Sequence, residues 1–306
     1  MTRLLLLAFP LLLLTACAPS DSRAPIGERP VQVVATTNIV ADLARVVGGD
    51  RVEVEALMGP GVDPHLYRAT EGDVGRMTGA DLILYNGFHL EGKMVDLLAR
   101  LENAAAVAER IDQVDLLTPP EYEGNADPHV WMDIRLWMEA TLAAADALAR
   151  VDPEHAEGYR ENAEAYIGML DEVEAYVERR IAEVPEDQRV LVTAHDAFNY
   201  FGRAYGFEVR GLQGISTATE AGTADVQDLA AFVAERRIPA LFVESSVSPR
   251  TIQAVREAVQ ARGFEVEIGG TLYADALGGA GSGAETYTDM IRANVDTIVD
   301  ALKPSE

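Results

Sequence analysis

The sequence predicts an α/β protein of two lobes, each with a mainly parallel sheet, joined by one long rigid connecting helix. Three observations lead there. Short β-branched runs alternate with helical patterns, which is how βαβ units read. The alternation stops and restarts around one uninterrupted helical stretch. The 306 residues are about two domains' worth at roughly 100 to 200 residues each, and 48% of them are apolar, enough for real cores.

In the first half, strands are expected at Val31 to Thr36, Val52 to Leu57, Asp81 to Tyr85 and His129 to Met132. Helices fall near Ile39 to Val47, Glu71 to Thr78 and Glu91 to Leu101, and a long helical pattern runs from Asp133 to about Arg150. After Pro185 the logic repeats. Strands are expected at Val190 to Thr193, Glu208 to Leu212, Ala240 to Glu244 and Glu265 to Ile268, with helices at Asn199 to Tyr205, Ala224 to Arg237, Pro249 to Arg262 and Tyr287 to Leu302.

Between the halves, Asp152-Pro153-Glu154 reads as an N-cap followed by proline at the first helical position. Tyr159, Ala163, Tyr166, Leu170, Val173, Val177 and Ile181 then recur in steps of four and three, and Pro185 marks the stop. A helix over 153–184 would be about 45 Å long at 1.5 Å per residue, enough to run along both lobes. Bending it would break backbone hydrogen bonds, so small lobe movements are expected. The implied organisation is an N-terminal lobe over 31–152, the connecting helix over 153–185 and a C-terminal lobe over 186–306.

The start of the chain carries an address. Met1-Thr2-Arg3 precedes the apolar run Leu4 to Leu14, about eleven residues where a membrane span needs about twenty. One positive charge, an apolar stretch and then small residues is the layout of an export signal over residues 1–16. Leu14-Thr15-Ala16-Cys17 resembles a bacterial lipobox. That resemblance implies cleavage before Cys17, lipid attachment to it and a membrane-anchored protein facing the periplasm or cell exterior. Residues 17–30 read as a flexible tether.

Charge and cysteine content exclude several classes. Lys+Arg 25 against Asp+Glu 50 leaves a formal charge of -25, without the basic footprint that nucleic-acid binders need. One cysteine excludes an intramolecular disulfide framework, a CxxC pair and a multi-cysteine zinc knuckle. Any metal chemistry must use histidine and carboxylate.

There are five histidines: His65, His89, His129, His155 and His195. Two share a phrase, Asp63-Pro64-His65 and Asp127-Pro128-His129, and His195 is followed by Asp196. Proline fixes its own φ and pushes the residue before it toward extended geometry, so Asp-Pro-His holds an imidazole at a defined loop or strand edge. A neighbouring carboxylate, Asp63, Asp127 or Asp196, could accept the other ring N–H, fixing the tautomer and raising ligand basicity. His195 follows the buried-strand pattern Val190 to Ala194, and Asp275 follows another strand by a short loop. In open α/β sheets ligands bind outside such strand ends. His89 could compete as a ligand but reads better as structural, and His155 reads as a surface residue in the first turn of the connecting helix. Trp131, two residues from His129, reads as core and offers a fluorescence signal.

Asp63-Pro64-His65, the run Asp127 to Asp133, the run His195 to Gly202 and Asp275 together resemble the motif set of the TroA-like metal-binding proteins, the solute receptors of bacterial zinc and manganese ABC importers. The resemblance covers nearly all of residues 31–303. It implies metal ligands at His65, His129, His195 and Asp275, a zinc or manganese ion as the transported ligand, an ABC-type permease as partner and a chain acting as a monomer. The manganese branch often has Glu where this chain has His195, whereas many zinc members carry a His-rich loop where this chain has Pro119 to Ala126. The two departures point in opposite directions, so the metal stays open.

Two other classes compete. A zinc-dependent hydrolase would also use three histidines and an open position; there is no HExxH, and Glu244, at a strand end, is the one glutamate that could serve as base, its alternative role being a contact behind a ligand. A surface adhesin, with a role in cell adhesion, fits the anchor equally well and would be separated by the phenotype of a deletion.

Overall fold

The structure, a computed structural model, describes residues 24–122 and 124–304; the expected signal segment and Cys17 lie outside them. The first lobe contains β1 (Val31–Ala35), α1 (Asn38–Gly48), β2 (Val52–Ala56), α2 (Glu71–Gly79), β3 (Leu82–Tyr85), α3 (Val95–Leu98), β4 (Ala104–Ala106) and α4 (Ile134–Val151). Its sheet has the order β2-β1-β3-β4 with every pair parallel. The order reverses at β1, so the crevice beside the carboxyl ends of β1 and β3 is where a ligand is expected in such a sheet.

A turn of 3₁₀ helix at Pro153–His155 leads into α5 (Ala156–Ile181). The second lobe follows with β5 (Val190–His195), α6 (Asn199–Tyr205), β6 (Glu208–Gln213), α7 (Thr223–Arg236), β7 (Ala240–Glu244), α8 (Arg250–Gln260), β8 (Glu267–Leu272) and α9 (Tyr287–Leu302). β5 pairs with β6 and β7 with β8, both in parallel. β7 runs beside β5, and the Glu244 side chain at its end accepts the Ala194 and His195 N–H groups at 2.7 and 2.9 Å.

α5 has 26 residues, about 39 Å at 1.5 Å each. Its buried residues are Tyr159, Ala163, Tyr166, Leu170, Val173, Val177 and Ile181, the stripe expected from the spacing. They belong to one continuous core with α1 and α4 of the first lobe and α9 of the second. Polar ties fall on both sides: Asn162 Nδ2 donates to Val47 O at 2.9 Å, and Tyr176 OH to Asp296 Oδ1 at 2.6 Å. Burying a side chain of this size contributes roughly 1.5–3 kcal/mol. Unseating even three of them by bending the helix would cost several kcal/mol, so the connection is stiff.

Several elements differ from expectation, each for a physical reason. Asp152 does not cap the connecting helix with its side chain; it accepts from Tyr159 OH at 2.9 Å and pairs with His155 Nδ1 at 3.0 Å. His129 to Met132 is a buried 3₁₀ turn rather than a strand, because a short apolar run reads the same whichever way the backbone bends. The helix expected over Glu91 to Leu101 shrinks to α3, since Phe88 and His89 adopt positive φ (49° and 64°) and turns precede it. β4 escapes the reading because three alanines carry little strand propensity. β8 extends through Gly269 and Gly270, residues that read as breakers. A Cβ on Gly269 would lie 2.7 Å from the Ala301 Cβ and 2.8 Å from the Phe242 ring, so glycine lets the strand approach α9 and β7.

Residues 25–30, read as part of the tether, are held against the first lobe. Arg29 makes a two-pronged pair with Asp81 at 2.5 and 2.8 Å, and Arg51 Nη2 donates to Gly27 O and Arg29 O. Guanidinium geometry, which sequence spacing does not reveal, accounts for the difference.

Candidate metal centre

Each of the four expected ligands is presented by a short, locally braced segment at the carboxyl end of a sheet. His65 sits in the turn after β2, where Asp63 Oδ1 accepts its backbone N–H at 2.9 Å. His129 precedes the 3₁₀ turn, and Asp127 Oδ1 accepts both its backbone N–H at 3.0 Å and its Nδ1–H at 2.7 Å. His195 is the last residue of β5, and Glu244 Oε2 accepts its Nδ1–H at 2.5 Å. Asp275 follows β8; Tyr273 before it is clasped by the Asn294 amide at 2.8 and 2.9 Å, and Ala274 O accepts from Trp131 Nε1 at 2.9 Å.

The structure brings these four side chains together. One donor atom from each lies within 4.8 Å of all the others, and all four residues are buried. His65 Nε2 is 3.3 Å from His129 Nε2, His195 Nε2 is 3.3 Å from Asp275 Oδ2, and His129 Nε2 is 3.5 Å from Asp275 Oδ1. Ligands about 2.0–2.1 Å from a tetrahedral ion stand ~3.3 Å apart along each edge. Among the described residues, His195 Nε2 and both Asp275 oxygens make no well-formed hydrogen bond despite full burial, the 3.3 Å approach of His195 to Asp275 being an ion-pair contact. Such groups are costly to bury unless something else satisfies them.

The electrostatics follow from this packing. Burial pushes His65 down to about 3, against the pull of Asp275, so its imidazole is neutral across the physiological range. Burial acts the same way on His195, but the Glu244 and Asp275 carboxylates outweigh it and hold His195 well above the ordinary imidazole range. Burial would raise Asp275; the His195, His129 and His65 rings prevail and hold it well below the usual carboxylate range. The donor set is one anionic oxygen and three nitrogens, which suits a borderline dication such as zinc.

The carboxylates behind the ligands are placed differently from the simplest expectation. The His195 ring N–H goes to Glu244 and not to Asp196, whose Oδ1 accepts from Gly211 N at 2.7 Å. Consecutive residues at a strand end face opposite sides, so the adjacent acid is directed away from the ring. Asp63 braces the His65 backbone, not its ring, and among the described residues His65 Nδ1 has no hydrogen-bond partner. His89 is exposed and lines a separate cavity of about 780 Å³ with Tyr85 and Glu109. His155 pairs with Asp152 at the start of α5. Neither joins the cluster.

Sequence reasoning missed several residues that close the cleft. Asn199 Nδ2 donates to Asp127 Oδ2 at 3.2 Å, and Tyr200 OH to Asp127 O at 2.9 Å. Thr217 Oγ1 donates to Asp63 Oδ2 at 2.6 Å. Asn199 and Tyr200 lie within the quoted motif run, so a signal was present; Thr217 sits in an unremarkable polar loop. Buried Glu91, accepting from Thr36 Oγ1 at 2.7 Å and Asn86 N at 2.8 Å, is a further carboxylate that no spacing or motif singles out.

Fold and site together define a class: a two-lobed solute-binding protein whose lobes, joined by a helix, enclose a donor set suited to a dication. The chain belongs to the family described as zinc-uptake complex component A, periplasmic, whose model matches residues 33–301. It is 49% identical over 273 residues to the zinc-binding protein TroA of Treponema pallidum, covering 88% of each chain. It is 47% identical over 294 residues to the manganese-binding lipoprotein MntA of Bacillus subtilis, covering 95% of each. The solved structure of the periplasmic zinc-binding protein TroA from Treponema pallidum matches with a TM-score of 0.87 at 47% identity, over 90% of this chain and 100% of that one.

Proposed function

We propose that this chain is an extracytoplasmic solute-binding protein that captures zinc or manganese between its lobes and delivers the ion to an ABC-type importer in the membrane. The observation that carries the reading is the convergence of His65, His129, His195 and Asp275 on one buried point. Asp127 and Glu244 orient two of the imidazoles, with Nδ1–H donated and Nε2 turned inward. The lobes are residues 31–152 and 186–306, bridged by 153–185. Family membership and the names of those two relatives support the cargo, and a relative 30% identical over 308 residues, described as a manganese ABC transporter substrate-binding lipoprotein, supports the partner class.

Export through residues 1–16, a lipid anchor on Cys17 and action as a monomer complete the proposal. Among the described residues no helix is long and apolar enough to cross a membrane. Zinc binds such a nitrogen-rich site more tightly than manganese at equilibrium, so availability decides the physiological cargo.

A hydrolase reading finds little support in the geometry. Glu244, the candidate base, accepts from Ala194 N, His195 N and His195 Nδ1, and so lies behind the imidazole rather than facing the ion. The family is one of solute-binding proteins. Titration of metal-stripped protein with Zn²⁺ and with Mn²⁺ tests the reading: one equivalent taken up without turnover of ester or peptide substrates supports it, and no stoichiometric uptake of either ion defeats it. Deletion of the gene is expected to cause metal starvation rather than loss of adhesion.

A further inference from the structure

The two sides of the cleft are closed differently. On the α6 side the lobes interlock through Asn199 and Tyr200 on Asp127, through Leu117 N donating to Tyr200 OH at 3.1 Å, and through Arg203 reaching Asp115 O and Asp133 Oδ2. Behind the site, Trp131 donates to Ala274 O, and the Asn38 amide clasps Leu277 at 3.0 and 3.2 Å. On the His65 side, among the described residues, a single hydrogen bond ties segment 59–69 to the opposite lobe, from Thr217 Oγ1 to Asp63 Oδ2 at 2.6 Å.

That bond is built rather than incidental. Thr217 is buried, and its loop is shaped by Gln213 Nε2, which donates to Thr219 O at 3.0 Å and Thr217 O at 3.4 Å. The other oxygen of Asp63 holds the His65 backbone, so a single carboxylate joins the ligand segment to the far lobe. His65 lacks the ring brace that Asp127 gives His129 and Glu244 gives His195. Its position therefore depends most on what holds its segment.

We propose that Thr217 is a positioning residue whose hydroxyl latches the His65 segment across the cleft through Asp63, and that this latch sets how long the ion stays bound. The proposal rests on the reading of the site given above. The segment carrying His65 is then the part that opens first, while the interlocked α6 side stays closed. Losing a hydrogen bond to an ionised group in a buried site costs about tenfold or more in an equilibrium or rate, and such changes appear mainly in the off-rate.

The test loads the full chain with one equivalent of Zn²⁺ and chases it with excess chromogenic chelator. Thr217→Val is expected to release zinc about tenfold faster with its association rate changed by less than about twofold. Thr217→Ser, which keeps the hydroxyl, should release like the unaltered chain. Asp63→Asn should also release faster, and the double variant should be no faster than the quicker single one, because both changes break one interaction. Should Thr217→Val fail to fold, the Asp63→Asn and Thr217→Ser rates decide. Equal rates for Thr217→Val and the unaltered chain, or a serine variant as fast as the valine one, would overturn the latch alone. Failure of the unaltered chain to take up zinc would remove the reading of the site beneath it.

Discussion

His195 and His65 illustrate how the same residue type is set to different tasks by its neighbours. His65, buried and without a carboxylate on its ring, is neutral and ready to ligate. His195, between Glu244 and Asp275, retains a proton to a pH above the ordinary imidazole value. An ion must displace that proton from Nε2, so binding releases it whenever His195 starts protonated. The sign follows: affinity rises as pH climbs through the raised His195 value and falls as pH drops, by up to tenfold per unit for one displaced proton. Calorimetry of Zn²⁺ binding in buffers of different ionisation enthalpy should therefore register proton release that grows as pH falls, and no release at any pH would contradict the assignment. Replacing Glu244 by alanine removes both the brace and the counter-charge, and should weaken zinc affinity by about 10–100-fold, measured by chelator competition. The four candidate ligands were legible because Asp-Pro-His occurs twice and His195 and Asp275 follow strand patterns. Glu244 as the partner of His195 was not, since 49 residues separate them and only the β5 and β7 neighbourhood brings them together.

At the level of elements, α5 makes the clearest case. Its seven inward residues could be read from spacing alone, because a long 3.6-residue period admits one face. The turn at 130–132 and the strand at 104–106 could not, because three or four residues of apolar or alanine sequence carry no period to distinguish them. Leu170 lies at the middle of the stripe and is fully buried. Leu170→Ala should cost about 2–5 kcal/mol of stability, read from denaturant unfolding, through the cavity it leaves. A cost below about 0.5 kcal/mol, the range of exposed positions, would mean that α5 is not packed as described. Trp131 links elements in another way: its indole N–H holds Ala274 beside Asp275, and its ring lies 5.3 Å from that of His129. Trp131→Phe removes the donor to Ala274 O and should loosen the Asp275 segment, lowering zinc affinity as read by chelator competition.

The whole molecule is two parallel-sheet lobes whose carboxyl ends face one another, a geometry expressed by the βαβ alternation before any contact is known. What the sequence left hidden is the asymmetry of closure, which depends on side chains such as Asn199 and Thr217 meeting partners 72 and 154 residues away. A stiff α5 packed on both lobes predicts a radius of gyration near the compact value of about 19 Å for roughly 280 residues. Small-angle scattering should show it changing by less than about 1 Å on loading, whereas a wide hinge closure would give a larger decrease. The strongly acidic surface adds little to binding, since spread charges are screened beyond roughly 8–10 Å; zinc affinity should change only weakly between low and moderate salt.

His65, His129, His195 and Asp275 are placed to enclose a single ion. X-ray absorption at the zinc edge of protein loaded with one equivalent reads that shell directly. A light-atom shell at about 2.0–2.1 Å with the outer scattering of three imidazoles and no sulfur neighbour is expected. A shell with one imidazole or none would contradict it.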